Sequence, residues 1–346
     1  MRILKRLSEA MGVSGAEGEA RRAILDLITP HVDEVRTDHM GNVLALKRGT
    51  GDSHRLTVMI DAHMDEVGLM VTGHDSNGML KVAAVGGLDE RILPGTRVRV
   101  GPKKLPGVIG AKPTHLLTNS ERDKAPDMEA LRVDIGAKNK EAAEGQAALG
   151  TRIGFDTPFL DLGPTVRGKA FDDRAGCAVL VHLLQGEPYP FDLWGVFAVQ
   201  EEVGKAGARV AAYAIGPDVG FVLEGTIADD LPQPEDTDLS RTTELGKGPA
   251  LSTMDNSVIY DPRLNRLLME AADDLGIPYQ FKQPGVGGTD GSEINRAHTG
   301  VPVAALSVPC RYIHSPAAIL LKKDYQHTIR LMRAALARLE WGVLER

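Results

Sequence analysis

Two adjacent carboxylates, Glu201 and Glu202, stand just after an apolar run at residues 193–199. Carboxylates placed side by side repel each other unless a cation or a shared proton holds them together. The apolar run is typical of a buried strand, and in α/β proteins ligands bind where such strands end. The pair therefore indicates a metal site, a proton-transfer site, or both.

Other side chains that can bind metals also follow short apolar runs. They are His63 and Asp65 after the run at 56–60, Glu224 after the run at 219–223, and His314 beyond the run at 303–308. Because ligands of open α/β sheets bind at the carboxyl ends of the strands, these distant residues could converge. Imidazole and carboxylate groups on rigid elements suit borderline metals, and a set of this size suffices for two ions that share one bridging ligand.

Asp172 and Asp173 precede a helical pattern at residues 175–185. A helix N-terminus favours a negative charge, but either residue could simply cap the helix. His63 and His314 taken singly could likewise be hydrogen-bonded core histidines. What favours a common site is the joint occurrence of these residue types at the ends of several predicted strands.

The predicted elements indicate an α/β protein. The apolar runs named above are typical of strands buried on both faces, and helical patterns lie at 175–185, 264–275 and 322–340. This alternation predicts an α/β sheet covered by helices on both sides. Near the start of the chain, Ser14 and Glu17 have the spacing of a capping box and predict that a helix begins there.

Residues 71–165 do not share this pattern. They are rich in glycine, proline and short β-like pieces, with little helical periodicity. We therefore expect a β-rich domain at 71–165, inserted between two parts of a catalytic α/β domain at 1–70 and 166–346.

The composition excludes several classes of protein. Hydrophobic residues make up 42% of the chain and charged residues 25%, which is ordinary for a globular protein. The formal net charge of −7 comes without a basic stripe, so we expect no nucleic-acid partner. No stretch reaches the roughly 18 apolar residues of a membrane helix, and the first residues lack an apolar leader, so we expect a cytoplasmic protein without a membrane partner. The two cysteines, Cys177 and Cys310, are expected to be small core residues in a reducing compartment.

Several segments resemble, in order, the motifs of the TET (tetrahedral) metallo-aminopeptidases. This family includes glutamyl and deblocking aminopeptidases and some proteins labelled endoglucanase. The segments that carry the resemblance are 63–68 (HMDEVG), 169–174 (KAFDDR), 200–204 (QEEVG), 287–290 (GGTD) and 311–315 (RYIHS). The resemblance extends over nearly the whole chain. It implies the fold of the co-catalytic zinc exopeptidases, with a mixed central sheet and helices on both faces. It also implies that the inserted domain builds dimers, which assemble into a hollow dodecamer.

Position by position, the resemblance implies two divalent metal ions, zinc or cobalt, in each subunit. The implied ligands are His63 and Glu224 at one ion, Glu202 and His314 at the other, and Asp172 as the bridge between them. Asp65 resembles the carboxylate that orients the ring of His63, an arrangement that fixes the tautomer of a ligand. Glu201 is similar to the general base. Asp173 matches a variable position and has an outer role at most.

The implied reaction is the removal of N-terminal residues from short peptides. Two cations would lower the pKa of a shared water from 15.7 to about 7, so that a hydroxide nucleophile exists at neutral pH. Glu201 would take the proton and return it to the leaving amine, which is worth roughly 10² to 10⁴ in rate.

Other functions stay open at this point. A related metal-dependent carboxypeptidase or deacylase would use a similar site. A glycosidase could use Glu201 with Glu224, but this hypothesis leaves both histidines unexplained. Aromatic residues, which stack on sugar rings, make up only 4% of the chain. A metal-stabilised peptide-binding assembly is the non-enzymatic alternative. Segment 287–290 fits either substrate contact or a helix start, and Arg311 fits either substrate contact or an ion pair. The preferred N-terminal residue and the identity of the metal are not predicted.

Overall fold

An 11-stranded mixed sheet and a closed barrel of six strands make up the computed structural model, which describes residues 1–119, 124–232 and 240–345. The strands of this described part are β1 (Glu34–Thr37), β2 (Val43–Lys47), β3 (Thr57–His63), β4 (Gly68–His74), β5 (Leu80–Val85), β6 (Arg97–Val100), β7 (Leu105–Gly110), β8 (Arg132–Asp134), β9 (Arg152–Phe155), β10 (Leu160–Leu162), β11 (Thr165–Gly168), β12 (Asp192–Ala198), β13 (Val219–Ile227), β14 (Ala250–Leu251), β15 (Gln280–Phe281), β16 (Val303–Arg311) and β17 (Ala318–Leu321). Its α-helices are α1 (Arg2–Glu9), α2 (Gly18–Ile28), α3 (Lys140–Gln146), α4 (Phe171–Leu184), α5 (Ala206–Ile215), α6 (Pro262–Leu275), α7 (Gly291–Asn295) and α8 (Lys322–Leu336).

The large sheet has its parallel strands at the centre. Its order is β1-β2-β12-β3-β13-β16-β17-β11-β10, and β14 pairs with both β15 and β16. The strands β12, β3, β13 and β16 are mutually parallel and almost entirely buried. Parallel strands are buried on both faces because helices cover them, which is why they appear in the sequence as continuous apolar runs. The predicted α/β fold with a mixed sheet is confirmed.

Helices cover both faces of the sheet, and each face has its own core. Val58 and Ile60 point into the core formed with α1, α2, α4, α6 and α8, whereas Met59 points into a smaller core formed with α5 and α7. This alternation follows from the two-residue period of a strand. No helix in the described part of the chain is long and apolar enough to cross a membrane.

The barrel is a separate unit that leaves the sheet after β3 and returns before α4. Its strands close in the order β4-β5-β8-β7-β6-β9 around an apolar core that includes Leu69, Leu80 and Ile153. The barrel strands thus span 68–155, whereas the expected insertion was 71–165. Strand β10 lies within the expected insertion, but it pairs with β11, which pairs with β17, and it therefore belongs to the large sheet. All three residues of β10 are exposed, so no apolar run marked it.

Candidate active site

The side chains selected from the sequence surround one cleft at the carboxyl ends of the parallel strands. His63 ends β3, Glu224 lies within β13, and the two glutamates lie in a turn after β12. The strand register places these residues at the same end of the sheet, because Ala198 pairs with His63 and Val222 pairs with Asp61. A cleft of about 380 Å³ is lined by His63, Asp172, Glu201, Glu224 and His314. Glu202 lines a smaller cavity that shares Asp172 and His314 with this cleft.

Asp172 lies between the two histidines. Its Oδ1 is 3.1 Å from His63 Nε2, and its Oδ2 is 3.2 Å from His314 Nε2. Glu224 Oε2 is 3.7 Å from the same nitrogen of His63, and Glu202 Oε2 is 3.3 Å from that of His314. Two groups capable of holding a metal ion result among the described residues, and within each group the potential ligand atoms lie within 4.8 Å of one another. Asp172 belongs to both groups.

Asp65 connects His63 to the turn that carries the two glutamates. Its Oδ1 is 3.4 Å from His63 Nδ1 and accepts a hydrogen bond from the backbone N–H of Glu201 at 3.0 Å. Its Oδ2 accepts from the backbone N–H of Glu202 at 3.2 Å and from the hydroxyl of Ser14 at 2.6 Å. A carboxylate held by three donors is a rigid partner for an imidazole ring.

The capping box expected at Ser14 and Glu17 is wrong. Helix α2 begins at Gly18, and no side chain caps its first turn. The Glu17 carboxylate instead accepts from the N–H of Gly15 at 2.6 Å, while Ser14, only 2% exposed, donates to Asp65. A tertiary contact with the site therefore replaces the local one that the spacing predicted. The spacing of Ser14 and Glu17 fits a common local motif, so nothing in the sequence indicated that Ser14 would contact Asp65.

The charges of the histidines depend on the carboxylates around them. Burial acts to lower the pKa of His63, but the hydrogen bond to Asp172 and the nearby carboxylate of Asp65 raise it well above its usual value. Burial also acts to lower the pKa of His314, but the contact with Asp172 raises it to about 9. Burial alone would raise the pKa of Asp172, yet its bonds to His314 and His63 hold it below the ordinary range. Without a metal, these contacts therefore favour an ionised Asp172 and protonated rings of His63 and His314.

The three glutamates have raised pKa values. Burial, reinforced by neighbouring acids, raises the pKa of Glu201 and of Glu202 to about 8. Burial also raises the pKa of Glu224 well above its ordinary value. A cation removes this penalty because metal binding displaces protons from its ligands. The buried Oε1 of Glu202 has no hydrogen-bond partner among the described residues, which fits an oxygen placed for a metal. Two imidazole nitrogens with carboxylate oxygens are a donor set for zinc or cobalt.

Four further residues that the sequence singled out now have defined surroundings. Asp173 is buried and accepts from the N–H of Gly176 at 2.8 Å, so it caps the regular part of α4. Arg311 forms an ion pair with Asp230 at 2.6 Å, which supports the structural alternative for this arginine. Cys177 and Cys310 are both buried, as expected for core residues.

Segment 287–290 contributes both to the cleft and to the start of α7. Gly287, Gly288 and Thr289 line the cleft. Thr289 Oγ1 also accepts from the N–H of Gly291 at 3.1 Å, whereas Asp290 makes no capping bond at the start of α7. The two alternatives for this segment are therefore compatible. Lys282 also lines the cleft, and the sequence did not single it out because it follows a strand of only two residues.

The sequence of this chain matches a known family of proteins over most of its length. Residues 41–331 match the model of the family described as M42 glutamyl aminopeptidase. The chain belongs to this family. A curated member, lysyl aminopeptidase of Pyrococcus furiosus, is 34% identical over 350 aligned positions, which cover 98% of this chain and 97% of the relative. Members of the family are peptide-bond hydrolases, and this M42 protein is an aminopeptidase, which removes N-terminal residues.

Solved structures extend the similarity to the whole fold. A TET aminopeptidase from a marine sediment Thaumarchaeota archaeon has a TM-score of 0.92 and 36% identity, and the match covers 99% of this chain and 98% of that one. The TET1 peptidase of Pyrococcus horikoshii, described as assembling into a tetrahedron or a large octahedral shell, has a TM-score of 0.84 and 31% identity, covering 98% of this chain and 99% of that one. Both matches include the barrel as well as the large sheet.

Proposed function

We propose that this M42 aminopeptidase cleaves short peptides at a site for two metal ions. The proposed ligands are His63, Asp172 and Glu224 at one ion, and Asp172, Glu202 and His314 at the other. The observation that carries the proposal is the position of Asp172, which directs one carboxylate oxygen to each histidine at 3.1 and 3.2 Å. A carboxylate placed in this way suits a bridge between two cations.

When bound, zinc or cobalt would supply a water of lowered pKa and polarise the scissile carbonyl. The protein's own part in proton transfer falls to Glu201. Its side chain lines the cleft and belongs to neither of the two groups that can hold a metal. The Asp65 carboxylate accepts a hydrogen bond from the backbone N–H of Glu201 and also faces the ring of His63, so it fixes the position of both residues. Glu201 would take the proton of the attacking water and return it to the leaving amine.

The substrate's free amino group would lie at the acidic end of the cleft. Glu224 and Glu201 both line it, and together with Asp172 they supply the negative charge that an N-terminal ammonium requires. An aminopeptidase needs this recognition because it must distinguish a free chain end from an internal peptide bond. Asp65 is proposed as a positioning residue that acts through His63 and the turn of the two glutamates.

We also propose that the chain forms dimers through the barrel and that the dimers assemble into a dodecamer. The similarity to the P. horikoshii TET1 peptidase covers the barrel and supports this assembly. Large apolar side chains on the barrel unit also reach the surface, with Leu149 67%, Leu116 59% and Val108 45% exposed. Exposed apolar surface of this kind is typical of protein interfaces. A closed shell would restrict substrates to short or unfolded peptides.

The test is a panel of substrates assayed with and without a chelator. Aminoacyl para-nitroanilides report aminopeptidase activity, N-acyl amino acids report deacylase or carboxypeptidase activity, and a soluble cellulose derivative reports glycosidase activity. We expect anilide hydrolysis that is lost on chelation and restored by zinc or cobalt. Full anilide hydrolysis in excess chelator would contradict the metal proposal, and cleavage of N-acyl substrates alone would replace the aminopeptidase by the deacylase.

A further inference from the structure

One wall of the cleft carries a positive charge that the proposed reaction does not use. Lys282 follows β15, is only 7% exposed, and lines the same cleft as Glu201 and Glu224. Lysine is almost never buried to this extent unless its ammonium group is paired. The backbone N–H of Lys282 donates to the carbonyl of Leu251, but its ammonium group has no hydrogen-bond or ion-pair partner among the residues that the structure describes. An unpaired cation of this kind in a ligand cleft calls for a partner supplied by the ligand.

The surroundings of Lys282 leave its ammonium group facing the cleft. Its Nζ lies against the loop at Gly287, where an added Cβ would be 3.6 Å from it. Gly287 has a φ of +68° and itself lines the cleft, so the absence of a side chain keeps this approach open. Thr226, two residues after Glu224 on the same face of β13, lines the cleft as well. Its hydroxyl has no hydrogen-bond partner in the described part of the chain.

The cleft is therefore polarised. Asp172, Glu201 and Glu224 make one part acidic, while Lys282 adds the cation and Thr226 a hydroxyl donor. An ammonium and a hydroxyl are the donors that a carboxylate accepts from, and hydrogen bonds to charged groups are the stronger kind. The same cation would repel a lysine or arginine side chain of a substrate, which makes the arrangement selective.

We propose that Lys282 forms a carboxylate-binding subsite that selects among peptide substrates. The carboxylate could belong to the side chain of an N-terminal aspartate or glutamate, or to the free C-terminus of a dipeptide. The inference rests on the proposed aminopeptidase reaction and adds the substrate class to it. Lys282 lies outside both groups that can hold a metal ion.

The test compares glutamate with glutamine at the N-terminus, because these side chains have nearly the same size and differ in charge. Para-nitroanilides carry no C-terminal carboxylate, so they report the N-terminal side chain alone. In Lys282→Gln we expect kcat/KM for the glutamyl anilide to fall by about 10- to 100-fold, mainly through KM, while the glutaminyl and leucyl anilides change little. Lys282→Glu should raise the relative rate on the lysyl anilide.

The second source of the carboxylate is tested with Leu-Gly and Leu-Gly-amide. A loss in Lys282→Gln that is confined to Leu-Gly assigns the carboxylate to the C-terminus, and a loss confined to the glutamyl anilide assigns it to the N-terminal side chain. Either result supports the subsite. Equal losses on all substrates would mean that Lys282 only balances the acidic residues, and unchanged kinetics on both carboxylate substrates would equally overturn the proposal.

Lys205 offers a matched control. Its Nζ approaches the neighbouring Gly288 of the same loop and lies 3.5 Å from the Ser257 hydroxyl, and Lys205 does not line the cleft. Lys205→Gln should leave the ratio of glutamyl to glutaminyl hydrolysis unchanged. Calorimetric binding of glutamate amide and glutamine amide to wild type and Lys282→Gln tests the subsite without turnover. A wild type that binds the glutamate ligand through Lys282 but cleaves no anilide would contradict the proposed reaction and not the subsite.

Discussion

The adjacent residues Glu201 and Glu202 should respond differently to the same substitution. Glutamine keeps the size of glutamate and removes both the negative charge and the ability to take up a proton. Glu202 Oε2 lies 3.3 Å from His314 Nε2 in a group that can hold a metal, whereas Glu201 lines the cleft outside both groups. Glu201→Gln should therefore impair catalysis, and Glu202→Gln should impair metal binding first.

The proposed role of each residue sets the expected size of the effect. Loss of a general base costs roughly 10² to 10⁴ in rate, which is about 3 to 5 kcal/mol in activation free energy. Glu201→Gln should show a loss in kcat of this order and should keep the metal content of the wild type. Glu202→Gln removes a charged ligand, and its metal affinity should fall by more than the roughly 10- to 100-fold that follows loss of an outer partner.

The assay pairs metal analysis with kinetics. Each variant is loaded with zinc, desalted and measured by mass spectrometry for metal per subunit, and kcat is then determined with an aminoacyl anilide. Added zinc should restore part of the activity of Glu202→Gln and none of that of Glu201→Gln. Equal metal loss in the two variants, or full turnover by Glu201→Gln, would refute the division of roles.

Three further outcomes follow from the same geometry. Ser14→Ala removes the 2.6 Å hydrogen bond to Asp65, and we expect metal affinity to fall by roughly 10- to 100-fold as measured by competition with a chelating dye; unchanged affinity would show that Asp65 does not depend on Ser14. In the metal-free protein the pKa of His314 is raised from 6.5 to about 9, so its stabilisation is complete below pH 6.5 and is lost as the pH rises through 9. The pKa of Glu202 is raised from 4.5 to about 8, so the penalty for its ionisation grows between these values, and calorimetry of chelated protein should show a falling Tm from pH 6.5 to 9; a constant Tm would contradict this linkage. Light scattering should give a mass near twelve times the chain mass of 37.1 kDa, and a strict monomer would exclude the shell.

Much of the fold could be predicted because the central strands are buried on both faces. The runs that became β3, β12, β13 and β16 are apolar for that reason, and their ends indicated where the candidate site lies. The edge of the sheet gave no such signal. Strand β10 is fully exposed, and the role of Ser14 depends on Asp65, a residue far from it in sequence. Contacts of this kind arise only when the fold brings separate segments together.

The paired glutamates show why the ends of strands are predictable while the roles of single residues are not. Glu201 and Glu202 are chemically identical neighbours, and each donates its backbone N–H to an oxygen of Asp65. Their side chains nevertheless meet different surroundings, because Glu202 lies beside His314 and Glu201 faces the open cleft. What separates the two proposed roles is therefore the direction that the turn after β12, held by Asp65, gives to each side chain. A site built in this way is sensitive to the residues that fix the turn, which is why Ser14→Ala tests the arrangement without changing any proposed ligand.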